Sequence, residues 1–352
     1  MSAKRSDVPV VVTGPTGYVG AWCALDLLQN GYKVRGTVRS QDKFDRLLAQ
    51  PAFAKYRDRF TAVIVPDLVT GDFSEAVKGA EIVIHTASPV SQDTENAEEL
   101  ILRPAINGTK NVVQAAINAG TVKHIVVTSG FGAACSLDDG FPFPEPAPRY
   151  YHEKDWNKAT YADAVESKIP TFAYAASKKL AEQAAYELVE QSGRPIKVSS
   201  IVAPMIIGPH VHYVARLEDL TVSLVWLWKI VSGQRAHRLP PVPLPAVADV
   251  RTVAAAHRLA FEKDDGQGRF MIYNGPVDWS MAVEIMHKKF SSRAQNLPEV
   301  KKTDRIGSHP RLFRMDTARS REALGLTYAP VEEVLKDTIE RFFEIQDAQS
   351  KI

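Results

Sequence analysis

The chain has 352 residues, 45% hydrophobic and 24% charged, enough for one large α/β domain with an appended lobe or for two modest domains. A formal net charge of +2 gives no electrostatic case for nucleic acid or a membrane surface, and two cysteines, Cys23 and Cys135, supply neither a disulfide framework nor a metal cluster. No apolar run approaches the ~20 residues that span a bilayer, and the polar opening Met1 to Asp7 has no signal core, so a soluble, cytoplasmic protein is expected.

Val8 to Val12 is β-branched except for Pro9 and predicts a first buried strand. Thr13-Gly14-Pro15-Thr16-Gly17-Tyr18-Val19-Gly20 follows, and Ala21 to Leu28 then reads as a helix. Three glycines spaced three apart let a pyrophosphate approach main-chain N–H groups, and the following helix points its positive end at the phosphates. Between a first strand and a helix this is a dinucleotide-binding signal, with Gly14, Thr16, Gly17, Tyr18 and Val19 as the candidate contacts. Gly31 caps the helix and a second strand runs to Arg39. NAD-binding folds carry an acid about 20 positions after the glycines; here stand Arg39, Ser40 and Lys43. A guanidinium pairs with a 2′-phosphate and a carboxylate repels one, so NADP(H) is the predicted cofactor, through Arg39 and Lys43.

Thr61 to Leu68 predicts the third strand and Ala80 to Pro89 the fourth, with His85 read as a packed strand histidine. Glu98 to Ala119 is a helix in which Pro104 imposes a kink or a late start. Lys123 to Gly132 is a strand running into a glycine-loosened turn, so Thr128 to Gly132 should face the cofactor. A Pro- and Asp-rich surface loop, Ser136 to Tyr151, precedes the next helix.

That helix opens with Tyr174-Ala175-Ala176-Ser177-Lys178, and a tyrosine and lysine four apart share one face. A phenol of pKa ~10 is a poor proton donor near neutrality unless a cation stabilises its phenolate. Lys178 supplies that cation, and the pair matches what carbonyl reduction requires: a proton for the oxygen as a hydride reaches the carbon.

In the second half, Ile196 to Ala203 is another strand, ended by Pro204. Val222 to Ile230 is a strongly apolar helix, and Pro240 to Pro245 a stiff loop. His210 and His212 lack a third ligand at metal spacing, so no metal is expected. Asp249 is placed as the N-cap of a helix, Arg269 to Tyr273 as a late strand, and Trp279 to Phe290 as a helix. A last helix starts at Pro330 and buries Val331, Leu335, Ile339 and Phe342.

The glycine spacing, Gly31 to Ser40 and Tyr174 to Lys178 resemble the extended short-chain dehydrogenase/reductases of the dihydroflavonol-reductase-like group, in particular fungal and yeast NADPH-dependent aldehyde and carbonyl reductases. The resemblance runs from about Val8 to Ile345 and implies a Rossmann-type, doubly wound parallel α/β sheet over 8–200. A smaller substrate-binding lobe is implied over 201–345, with about 246–275 returning to the first domain. It places Asp67 and Leu68 at the adenine and Ala87 and Ser88, within His85 to Pro89, by the nicotinamide ribose. Pro204 and Ile207 would stand behind the nicotinamide, Asn107 near a proton relay, and Glu153-Lys154-Asp155-Trp156 matches a segment of the family. Phe131, Met205, His210 and Trp226 are the expected substrate pocket.

Within the catalytic constellation one position departs from the resemblance, and before the later turn Ala203-Pro204 keeps the family's proline but loses its amide. The family reads T-S-S where this chain reads Thr128-Ser129-Gly130, and the second serine polarises the carbonyl. Three explanations stand: a remodelled turn in which Ser129 serves, another hydroxyl or a water in its place, or a loss of efficient reduction. The implied activity is NADPH-dependent reduction of aldehydes or ketones, in a monomer or homodimer. The alternatives are a non-redox enzyme on the same fold (isomerase, cyclase or eliminase) and an NADP-sensing binding protein.

Overall fold

Short runs of Val, Ile and Ala make buried parallel strands because helices cover both faces of the sheet they form. The computed structural model describes residues 7–88, 96–136, 141–143, 147–167, 169–234, 239–242, 244–300 and 309–350. Pro89, parts of the 136–151 loop and Pro243 of the proline loop lie outside the described residues. The strands are β1 (Val10–Thr13), β2 (Val34–Val38), β3 (Phe60–Ile64), β4 (Ile82–His85), β5 (His124–Gly130), β6 (Tyr150–Tyr151), β7 (Lys197–Ala203), β8 (Met205–Ile207), β9 (Ala246–Asp249), β10 (Gly268–Met271), β11 (Gly275–Pro276) and β12 (Arg314–Met315). The helices are α1 (Tyr18–Gln29), α2 (Gln41–Leu48), α3 (Ser74–Val77), α4 (Arg103–Ala119), α5 (Tyr161–Glu166), α6 (Pro170–Gln191), α7 (Val222–Val231), α8 (Val250–Glu262), α9 (Trp279–Lys289), α10 (Ala318–Leu324) and α11 (Val331–Gln349).

Seven strands pair in parallel in the order β10-β7-β5-β4-β1-β2-β3. The order reverses between β1 and β4, which opens a crevice at the carboxyl ends of those strands. Alternation along each strand feeds two cores. Val10, Val12, Ile84, Val126 and Ile201 pack with α1 and α8 on one face. Val11, Val83, Ile125, Val127 and Val198 pack with α4 and α6 on the other. The sheet is the doubly wound α/β fold expected.

The lobe has a core of its own, drawn from α7, α9 and α11 with Trp228, Trp279 and Phe342, beside the small sheet β11-β9-β8. Val331, Leu335, Ile339 and Phe342 are all buried there, with Pro330 the cap before α11 rather than its first residue. A boundary at residue 200 falls inside β7, which continues to Ala203 before Pro204 stops it. The returning segment also divides. β10 is an edge of the large sheet and α8 packs against it, whereas β9 and β11 belong to the small one. Pro104 is accommodated by a wide π turn over Glu98–Leu102, after which α4 begins at Arg103.

Candidate functional site

The turn between β1 and α1 takes the shape its glycines allow. Gly14 has φ +67°, a left-handed conformation that side chains disfavour. A Cβ on Gly20 would sit 2.2 Å from the Gly14 carbonyl oxygen, so only glycine lets α1 approach the turn this closely. Gly17 caps α1 without a side-chain hydrogen bond, and its first turn carries no acid, so main-chain donors and the positive helix end face the crevice. These features fit a pyrophosphate. Thr16 and Gly17 lie on the turn, whereas the side chains of Tyr18 and Val19 turn to the protein interior. The Tyr18 hydroxyl donates to Gly208 O at 2.8 Å, and Trp22 Nε1 donates to Pro209 O at 2.6 Å, tying α1 to the lobe. Any cofactor contact by Tyr18 falls to its main chain.

Past β2, Arg39 is exposed and makes no hydrogen bond or ion pair among the described residues. Ser40 caps α2 by accepting from the Lys43 amide, so a guanidinium, a helix N-terminus and the exposed Lys43 stand together. That donor set suits a dianion. Asp67 is occupied locally: its carboxylate accepts from the amides of Val69 and Thr70 and from the Thr70 hydroxyl. The Thr70 amide is the largest cause holding its carboxyl below the usual range. Leu68 packs where a Cβ on Gly108 would lie, 2.6 Å from Leu68 Cγ.

The ends of β1 and β4 are stitched by hydroxyls. Thr13 Oγ1 accepts from the amides of Thr86 and Ala87, so Ala87 is fixed beside Gly14, with Ser88 following. Thr109 Oγ1 donates to Ala105 O, so it must accept from His85 Nε2, and Thr13 then donates to His85 Nδ1. His85 is thus a neutral, packed strand histidine. Burial, and then the charge of Lys178, push its pKa down to about 3.

β5 delivers Thr128, Ser129 and Gly130 to the crevice. Thr128 Oγ1 lies 2.7 Å from His257 Nε2, whose Nδ1 donates to Val253 O, so the threonine is the donor and its hydroxyl is committed to α8. Ser129 Oγ donates to Glu182 at 2.6 Å. Gly130 has an extended backbone, φ −140°. A Cβ there would meet Lys178 Cγ at 3.6 Å and Ala203 O at 3.8 Å, which is ordinary contact. The strand end therefore lies against the middle of α6. Gly132 lets the following turn pack onto the start of that helix, since a Cβ would come within 2.9 Å of Ala175 Cα.

On α6, Tyr174 is 37% exposed while Lys178 is buried. The Lys178 ammonium stands 5.5 Å from the Tyr174 ring centre and makes no hydrogen bond or ion pair among the described residues. Asn107 is exposed on α4, and Thr109 rather than Asn107 reaches His85. Pro204 and Ile207 are buried where the chain passes from β7 into β8.

The expected substrate residues separate. Met205 on β8 and Trp226 on α7 are half-buried. Phe131 instead belongs to the core, stacked on Phe313 at 5.0 Å and edge-on to Tyr151. His210 is fully buried against Phe342 and His212, because its segment is held under the lobe by Arg341 and the α1 side chains. Both leave the pocket. No cluster of metal ligands occurs among the described residues.

Glu182 and Arg269 were not singled out from the sequence. Glu182 continues the face of Tyr174 and Lys178 by one more turn, a spacing legible in the chain. Arg269 stood as a charge inside an apolar strand, a position that demands a partner.

Residues 11–213 match the 3-beta hydroxysteroid dehydrogenase/isomerase family. A Schizosaccharomyces pombe protein described as an oxidoreductase is 35% identical over 95% of this chain and 97% of its own length. A Candida albicans protein named as an NADPH-dependent methylglyoxal reductase is 30% identical over 95% of this chain and 98% of its own. The structure of yeast methylglyoxal/isovaleraldehyde reductase Gre2 with NADPH superposes with a TM-score of 0.85 at 26% identity, covering 97% and 99% of the two chains. The chain belongs to the 3-beta hydroxysteroid dehydrogenase/isomerase family, within the extended short-chain dehydrogenase/reductases.

Proposed function

We propose that this protein is an NADPH-dependent reductase that converts aldehydes or ketones to alcohols, with Tyr174 as proton donor. The observation that carries the reading is the Tyr174–Lys178 pair, the ammonium 5.5 Å from the phenol ring, against the carboxyl end of β5. The reductase names of its relatives support the same reading.

The crevice would hold NADPH, whose chemistry there would be to supply a hydride to the carbonyl carbon. The Gly14–Gly17 turn and the α1 amides would hold its pyrophosphate, and Arg39 with Lys43 would pair with its 2′-phosphate. Tyr174 donates a hydrogen bond to the carbonyl oxygen and gives up its proton as negative charge develops there. Lys178 stabilises the phenolate left behind and holds the ribose hydroxyls. Ser129 does not polarise the carbonyl in this reading, because its hydroxyl is spent on Glu182. The oxyanion site has one donor fewer than the T-S-S pattern of the resembled family would give it, a defect that slows an enzyme without abolishing it.

The missing side chain at Gly130 favours a second reading, an isomerisation or elimination in which Tyr174 shuttles a proton without net reduction. Loss of NADPH absorbance against a panel of aldehydes and activated ketones separates the two. Turnover by the wild type that disappears in Tyr174→Phe, with NADPH binding retained, is the expected result. Tight NADPH binding with no oxidation, whatever carbonyl is offered, would leave the non-redox reading in its place.

A further inference from the structure

Glu182 lies one helical turn beyond Lys178, on the face of α6 that carries Tyr174, and is 3% exposed. Besides Ser129, it accepts from Arg269 Nε at 2.7 Å and from the second guanidinium nitrogen at 3.4 Å. Arg269 in turn donates to the carbonyls of Glu153 and Asp155, at 2.7 and 2.5 Å, and lies 3.7 Å over the Trp156 ring. The Glu153–Trp156 segment is thereby clamped beneath the catalytic helix. A buried ion pair is weak evidence for stability, since desolvation offsets its attraction, so its placement calls for another reason.

A cavity of ≈ 20 Å³ supplies one. It has room for about one water, and His85, Thr109, Ser129, Lys178 and Glu182 are among the residues that line it, while Arg269 does not reach it. The ion pair therefore presents its negative end to the Lys178 ammonium. Among the described residues, the titratable groups facing Lys178 are Tyr174 on its own helix, neutral His85 on β4, and Glu182; the wall contributed by α4 is the Thr109 hydroxyl.

We propose that Glu182 is a positioning residue whose carboxylate, fixed by Ser129 and Arg269, faces the Lys178 ammonium across this cavity and so sets the pH range in which Tyr174 acts as an acid. The inference rests on the reductase reading. A negative charge across a small cavity favours the ammonium over the amine and opposes ionisation of the phenol.

The test uses the full chain as wild type, Glu182→Gln, and Glu182→Gln/Arg269→Gln, the last leaving no unpaired buried charge if the single variant fails to fold. NADPH affinity, by fluorescence, and kcat for methylglyoxal reduction are followed from about pH 6 to 10, with thermal unfolding in parallel. In both variants the alkaline limbs of affinity and kcat should move down by about half a pH unit or more. Limbs unmoved in the folded double variant, with only the unfolding temperature lowered, would overturn the proposal in favour of a purely structural ion pair. A wild type that binds NADPH but reduces no carbonyl sinks the reductase reading, and the affinity limb still decides the role of Glu182. A wild type that does not bind NADPH overturns both.

Discussion

Gly130 is the residue at which this chain parts from the pattern its other motifs follow, and the space around it makes the difference testable. Its extended backbone suits any residue, and a Cβ would make only ordinary contacts with Lys178 and Ala203. Gly130→Ser should therefore fold normally and return a second donor to the oxyanion site. One such donor is worth about 10²–10³ in rate, so kcat should rise about tenfold or more with NADPH affinity unchanged. Steady-state NADPH oxidation measures this, and a variant slower than wild type would mean that another group already occupies that role. Arg39 is the second decisive residue, exposed just past the end of β2 with no hydrogen bond or ion pair among the described residues. If it pairs with the 2′-phosphate, Arg39→Ser removes a charge-assisted bond. KM for NADPH should then rise about tenfold or more while KM for NADH barely moves. Equal changes with both cofactors would place the arginine elsewhere.

At the scale of elements, the turn into α1 concentrates the constraint. Gly20 lies inside the helix, where alanine is ordinarily the better residue, yet its Cβ would sit 2.2 Å from Gly14 O. Gly20→Ala should push α1 off the turn, weakening NADPH binding at least tenfold and lowering the unfolding temperature by several degrees. A variant with wild-type affinity would show that the turn can yield. These local features were legible in the sequence because they are local: three glycines at fixed spacing, a proline at a helix start, and a tyrosine and lysine one turn apart. What stayed hidden lies between distant elements. Ser129 was a candidate for the carbonyl because the chain does not reveal that Glu182, 53 positions on, claims its hydroxyl. Phe131 followed a catalytic turn and so read as a pocket wall, until Tyr151 and Phe313 closed around its ring. Spacing reports which side chains share a helix face, whereas partners across the fold depend on how the elements stack.

Among the described residues four histidines are buried and a fifth, His212, is partly buried beside one of them. His85, His124, His210, His212 and His257 are pushed down, each chiefly by burial, to about 3, 4, 3, 4 and 4. Unfolded histidine titrates near ~6.5, so below that pH the unfolded chain takes up protons that the folded one refuses. Each folded value is depressed, so stability is full above about pH 6.5 and drains away as the pH falls towards the folded values. Each residue contributes up to about 1.4 kcal/mol per pH unit in that window. His85, His124 and His257 are compensated by hydrogen bonds to Thr13 and Thr109, to Ser199, and to Thr128 and Val253. His210 is not: neither ring nitrogen has a hydrogen-bond partner among the described residues, and its neighbours are His212, Phe342 and the charge of Arg341. An apolar side chain there removes two unmet nitrogens and one site of proton uptake on unfolding. His210→Leu should raise the urea midpoint at pH 5 by more than at pH 7.5, with the slope of the transition unchanged. An equal gain at both values would trace the effect to packing, and a loss at both would mean that the imidazole fills space leucine cannot.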